Sequence, residues 1–112
     1  MSKFTSCLNK GFQMTFDNGF RISVQWGHGN YCEVKNKGMW GDEQKQDYWD
    51  STSAEIAVFG ENDNMINLRG DDDNFDTVAG WLNTDMVAKV IAIVQSAKTD
   101  KEIQLKCKAL NL

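Results

Sequence analysis

Phe12-Gln13-Met14-Thr15-Phe16-Asp17-Asn18-Gly19-Phe20-Arg21-Ile22-Ser23-Val24-Gln25-Trp26 is the stretch that decides the fold. Phe12, Met14 and Phe16 alternate with Gln13 and Thr15, and Phe20, Ile22, Val24 and Trp26 alternate with Arg21, Ser23 and Gln25. That alternation marks two strands with one buried face. Asp17-Asn18-Gly19 between them reads as the turn of a hairpin. A tight Asn18-Gly19 turn would set Phe16 opposite Arg21 and split the apolar face. A longer loop, with Gly19 left-handed in a bulge, instead pairs Phe16 with Phe20, Met14 with Ile22 and Phe12 with Val24. A one-residue slip would turn every side chain to the other face, so the longer loop is expected.

A second hairpin is expected further on. Ala54 to Phe59 and Met65 to Arg69 flank Gly60-Glu61-Asn62-Asp63-Asn64, a run of turn formers. Pairing Val58 with Ile66 and Ile56 with Leu68 keeps one apolar face. Val78 to Leu82 then reads as a short strand, with Trp81 expected to plug the junction between sheet and helix. Thr84 is expected to cap a helix from Asp85 to about Ala97, whose stripe is Val87, Val90, Ile91, Val94 and Ala97. In the tail, Ile103, Leu105 and Cys107 alternate with polar neighbours, which predicts a terminal strand over 102–109. These elements compose one α+β domain over 1–112: an antiparallel sheet of about four to six strands against one C-terminal amphipathic helix, with a terminal amphipathic strand. If that terminal strand crosses to a neighbour's edge, the protein is a dimer.

Composition excludes several classes of function. The chain has 112 residues, ordinary apolar content and a net charge of −4. No apolar run approaches the ~20 residues of a membrane span, and Met1 to Leu8 lacks the apolar core of a signal peptide, so a cytoplasmic protein is expected. Sequence-independent nucleic-acid binding needs a basic surface, which this charge opposes. Lysines outnumber acids near the C-terminus, at Lys98, Lys101, Lys106 and Lys108, and read as a solvated face. Cys7, Cys32 and Cys107 are odd in number and widely spaced, so reduced thiols are expected.

Little points to catalysis. His28 is the only histidine, and Cys32 is the one nucleophile whose spacing brings it near. A buried cysteine and a hydrogen-bonded histidine is the simpler reading. No cofactor or metal is expected: the cysteines and His28 lack the close pairs that nucleate zinc sites. Asp72 to Asp76 resembles a calcium loop only in charge, since Thr77 stands where that loop needs glycine.

The long connection from Gly27 to Ser53 is more informative. Loops longer than about 12–15 residues are uncommon in compact domains and are usually binding loops or disordered. Disordered segments are poor in aromatics, yet this one carries Tyr31, Trp40, Tyr48 and Trp49. At its start, Gly27-His28-Gly29-Asn30 could turn backbone amides inward as an anion-binding nest. Arg21 and Arg69, the two arginines, could supply phosphate contacts. Trp26, Tyr31 and Trp40 offer flat faces for a base. Together these residues suit a nucleotide-like ligand. Tight turning and loop packing are the competing explanation for the same residues.

The blocks Asn18 to Cys32, Ala54 to Phe59 and Val78 to Val94 resemble a group of small proteins common in bacteriophage genomes. Their shared block reads S-V-Q-[FW]-G-x-G-N-Y-C, here Ser23 to Cys32. The stretch Gly38 to Asp50 and the tail beyond Thr99 depart from that group. The resemblance brings no residue-level role. It implies a phage accessory protein acting in the host cytoplasm, for which countering host immunity is the expected context. The leading expectation is a non-enzymatic protein that sequesters a signalling nucleotide. The alternative is a protein–protein inhibitor of a defence effector, of the anti-CRISPR type, using Asp71, Asp72, Asp73 and Asp76 with exposed aromatics.

Overall fold

The computed structural model describes residues 2–8, 10–27, 29–34, 50–69 and 78–112. Five antiparallel strands pair in the order of the chain: β1 (Lys3–Ser6), β2 (Gly11–Thr15), β3 (Arg21–Gln25), β4 (Ala54–Phe59) and β5 (Ala79–Leu82). Two helices follow, α1 (Thr84–Ser96) and α2 (Asp100–Ala109). The α+β class and the antiparallel sheet are as expected from the patterning.

The first hairpin has the expected register, with Phe12 opposite Val24 and Met14 opposite Ile22. Phe16 N donates to Phe20 O at 2.9 Å, and Gly19 has φ +90°, as the bulged loop requires. Glycine meets no Cβ penalty there. The second hairpin keeps its expected register but stops early. Phe59 bridges Met65, and Ile66 N donates to Val58 O at 2.9 Å. The expected strand over 65–69 does not form, because Asn67 Oδ1 accepts from Arg69 N at 3.0 Å and turns the chain. Ile66 and Leu68 remain buried.

β1 adds an edge strand that the patterning did not announce, and all four of its residues are exposed. Ile22, Val24, Ile56 and Val58 point from the sheet into a core completed by Val87, Val90 and Val94 of α1. The helix starts one residue earlier than expected. Asn83, not Thr84, is its cap, and its Oδ1 accepts from Met86 N at 2.8 Å.

The other end of α1 is capped from a distance. Asn18, in the tip of the first hairpin, donates from Nδ2 to the carbonyls of Val94 (2.9 Å), Gln95 (3.1 Å) and Ala97 (3.0 Å). Its Oδ1 accepts from Phe20 N at 3.1 Å. One amide thus shapes the hairpin loop and adds a donor for carbonyls at the helix end, of which Val94 O also accepts from Ala97 N at 3.4 Å. Asn18→Ala is expected to cost about 1–3 kcal/mol, measured by urea denaturation. Asn18→Asp should cost more, since a carboxylate would face the negative end of the helix. An unchanged urea midpoint for both variants would refute the clamp.

The expected terminal strand is a helix. Thr99 caps α2, its Oγ1 accepting from Glu102 N at 3.1 Å, and Glu102 reaches back to accept from Lys98 N at 2.6 Å. Lys106 Nζ lies 3.1 Å from the Glu102 carboxylate, one helical turn on. Ile103 and Cys107 are fully buried, whereas Leu105 is 59% exposed. A strand would have put Leu105 on the face shared by Ile103 and Cys107. The apolar side of the tail is therefore spent within its own chain, which removes the argument for a dimer built on strand exchange.

Candidate functional site

Trp81 is where structure and expectation part most sharply. It does not plug the sheet–helix junction: it is 59% exposed, and the buried residues there are Ala79 and Leu82. The cause is a bulge. Ala54 pairs with Leu82 and Ile56 with Ala79, so β5 carries one residue more than β4 across the same interval. Trp81 sits in that bulge at φ +60°, a conformation that bulky residues adopt only under constraint. The constraint is visible in the hydrogen bonds. Trp81 N donates to Tyr31 O at 2.8 Å, and a Cβ on Gly80 would fall 2.4 Å from Tyr31 Cβ. Only glycine at position 80 lets the loop lie this close to the strand.

Tyr31 is held from its other side by Glu55 of β4. The Glu55 carboxylate accepts from Tyr31 N at 2.9 Å and from Asn30 Nδ2 at 3.2 Å. Arg69 completes the group. Its Nε donates to Leu112 O at 3.3 Å, which fixes the guanidinium at the end of its segment. Tyr31, Gly80, Trp81 and Arg69 border one opening of about 150 Å³. Two exposed aromatic rings and a guanidinium thus share a shelf along β5.

The other expected ligand residues are dispersed. Arg21 lies at the far end of β3 from Trp26. Its guanidinium stacks 4.3 Å above the Phe59 ring and pairs with Asp63 at 3.2 Å, so it braces the second hairpin. The grouping of Arg21 with the 27–31 loop is thereby corrected. Trp26 packs edge-on against Phe12, with ring centres 6.3 Å apart. Gly27 and Asn30 close on each other rather than forming an open nest. Gly27 N donates to Asn30 Oδ1 at 2.9 Å, and Asn30 N donates to Gly27 O at 3.2 Å. With the Glu55 carboxylate on the next amide, this turn is a poor host for an anion. Gly29 is exposed at φ +84°. His28, Trp40, Tyr48, Trp49 and the acidic Asp71, Asp72, Asp73 and Asp76 lie outside the described residues.

The Cys32 and Cys107 thiols are poorly suited to nucleophilic work. Cys32 is buried, its Sγ 3.7 Å from Gly27 O, and burial pushes its pKa up. Burial pushes the Cys107 thiol to about 11. A protonated thiol is a weak nucleophile. Among the described residues, no group of three or more His, Cys, Asp or Glu could hold a metal ion. No helix among them is long and apolar enough to cross a membrane.

Sequence reasoning named Tyr31 and Arg69 among its candidates but assigned Trp81 to the core. The available signal was Gly80: a glycine inside a strand marks a bulge or a close backbone approach. Comparison with protein-family models, with curated proteins and with solved structures returned no match.

Proposed function

We propose that this protein is a non-enzymatic binding protein that sequesters a nucleotide-like signalling molecule at the Tyr31–Arg69–Trp81 shelf. The observation that carries this reading is Trp81, held exposed in a left-handed conformation beside a second exposed aromatic and an arginine. Strained residues of this kind gather at ligand sites, where the surroundings hold them in place. Stacking of a base on an aromatic ring contributes about 1–3 kcal/mol, and a guanidinium can grip a phosphate through paired hydrogen bonds. The net charge of −4 favours a small ligand over a long polyanion. The resemblance to bacteriophage accessory proteins supplies the setting: removal of a host immune signal from the cytoplasm of an infected cell.

The test is calorimetric titration with a panel of linear and cyclic mono- and dinucleotides. At least one should bind, and Tyr31→Ala, Arg69→Ala and Trp81→Gly should each weaken it tenfold or more. Trp81→Gly should leave stability within about 1 kcal/mol of wild type, because glycine relieves the left-handed strain while loosening the unfolded chain. No binding across the panel, with a host protein captured instead through the same three residues, would favour an inhibitor of a defence effector. A large loss of stability in Trp81→Gly would return Trp81 to the core.

A further inference from the structure

A second concavity lies on the helix side of the sheet, remote in chemistry from the shelf. It is a cleft of about 280 Å³ between the end of the sheet and the first two turns of α1. Val24, Ala54 and Leu82 form its floor, and Val87, Ala88 and Ile91 its helical wall. The edge-to-face pair of Phe12 and Trp26 closes one end.

The cleft has a structural cause. Asn18 draws the C-terminal end of α1 onto the tip of the first hairpin, and Val90 and Val94 there are fully buried. Toward its N-terminus the same helix leaves Ala88 exposed and Ile91 half-buried. The cleft is the wedge left between these side chains and the end of the sheet.

We propose that this wedge is a second binding site, for a small, uncharged, largely apolar molecule of about two fused rings. Size sets one limit, since an apolar cavity of about 150 Å³ is enough to bind benzene. Charge sets the other. Among the described residues no Asp, Glu, Lys, Arg or His borders the cleft, so an ion resting against them would lose hydration without compensation. The polar wall is the segment Ser51-Thr52-Ser53, and it is tied down. Ser51 Oγ donates to Ser53 O at 2.7 Å, Thr52 Oγ1 donates to the Glu33 carboxylate, and Ser53 Oγ accepts from Glu33 N at 2.8 Å. Among the described residues no acceptor takes the Ser53 hydroxyl proton, which suits a carbonyl or hydroxyl on the bound molecule. A largely apolar slot edged by the Ser53 and Thr84 hydroxyls selects an uncharged compound with a small polar substituent.

The test uses 2-naphthol as the probe and 2-naphthoate as its charged counterpart, followed through the methyl resonances of the full-length protein. 2-Naphthol should shift the methyls of Val24, Ala88 and Ile91, and 2-naphthoate should bind at least tenfold more weakly. Ala88→Leu, which fills the mouth with a good helix former, should weaken 2-naphthol tenfold or more while the protein stays folded. Thr84→Leu, at the same mouth, is the second obstruction should Ala88→Leu fail to fold. Trp81→Gly should leave 2-naphthol binding unchanged, so a failure of the nucleotide reading and a failure of this one are separable. Absence of these methyl shifts up to the solubility limit of 2-naphthol would overturn the proposal. So would equal binding of 2-naphthoate, or binding that survives both obstructions.

Discussion

Gly11→Ala is expected to be the most damaging single-methyl change in this protein, at about 3–5 kcal/mol. Gly11 opens β2 at φ +147°, a region that alanine avoids. Space is the harder limit: a Cβ there would lie 2.0 Å from Val24 O and 2.9 Å from Gln25 Cα. Those atoms are backbone of the paired strand, and they cannot retreat without opening the β2–β3 ladder. The adjoining carbonyls are also committed, Gly11 O to Cys7 N and Lys10 O to Trp26 N. Small domains hold only about 5–15 kcal/mol in total, so the variant should sit near the edge of folding. Urea denaturation with circular dichroism measures it. A wild-type midpoint would mean that β2 and β3 do not approach this closely at Gly11.

Ile103→Ala should cost about 2–5 kcal/mol, whereas Leu105→Ala should be nearly neutral. Ile103 is fully buried under α2, and Leu105 is 59% exposed on its outer side. In a terminal strand the two would share a face and respond alike, so the pair of variants separates the two structures directly. Cys107, one turn beyond Ile103, gives an independent readout. Its thiol is pushed to about 11 in the folded protein. The folded state therefore keeps its proton after the unfolded state has lost it. The stabilisation is complete below the unfolded value of about 8.5 and falls as pH rises through that value toward 11. Thiol reagents at neutral pH should reach Cys107 only as α2 opens, and Ile103→Ala should speed that reaction.

The first hairpin was legible because its alternation and its loop agreed on one register, down to the left-handed Gly19. α1 was legible for a similar reason: a single helical stripe from Val87 to Val94 with few competing readings. The tail was not, because Ile103 and Cys107 are four apart and fit a strand and a helix equally well. Thr99 and Glu102, spaced as a helix cap, were the residues that could have decided it. In the candidate site, Tyr31 and Arg69 stood out by residue type and position. Trp81 did not, because its direction is set by a bulge that depends on Tyr31, far away in sequence. Alternation along a strand assumes that no extra residue is inserted, and Gly80-Trp81 breaks that assumption. Arg21 was misplaced for the opposite reason, since Phe59, the ring its guanidinium covers, stands directly opposite it on β4.

Because each strand pairs with its neighbour in sequence, the sheet does not depend on how far the chain travels between β3 and β4. Five residue pairs, from Arg21 with Phe59 to Gln25 with Glu55, hold that ladder in register. The entropy of closing a loop grows only logarithmically, with each doubling of length costing about 0.6 kcal/mol. Lengthening the connection should therefore add little closure cost, provided the anchoring contacts at 30–34 and 51–53 remain. The connection can change in length while the ladder between β3 and β4 stays constant. Such an arrangement separates the upkeep of the fold from the length of its longest connection.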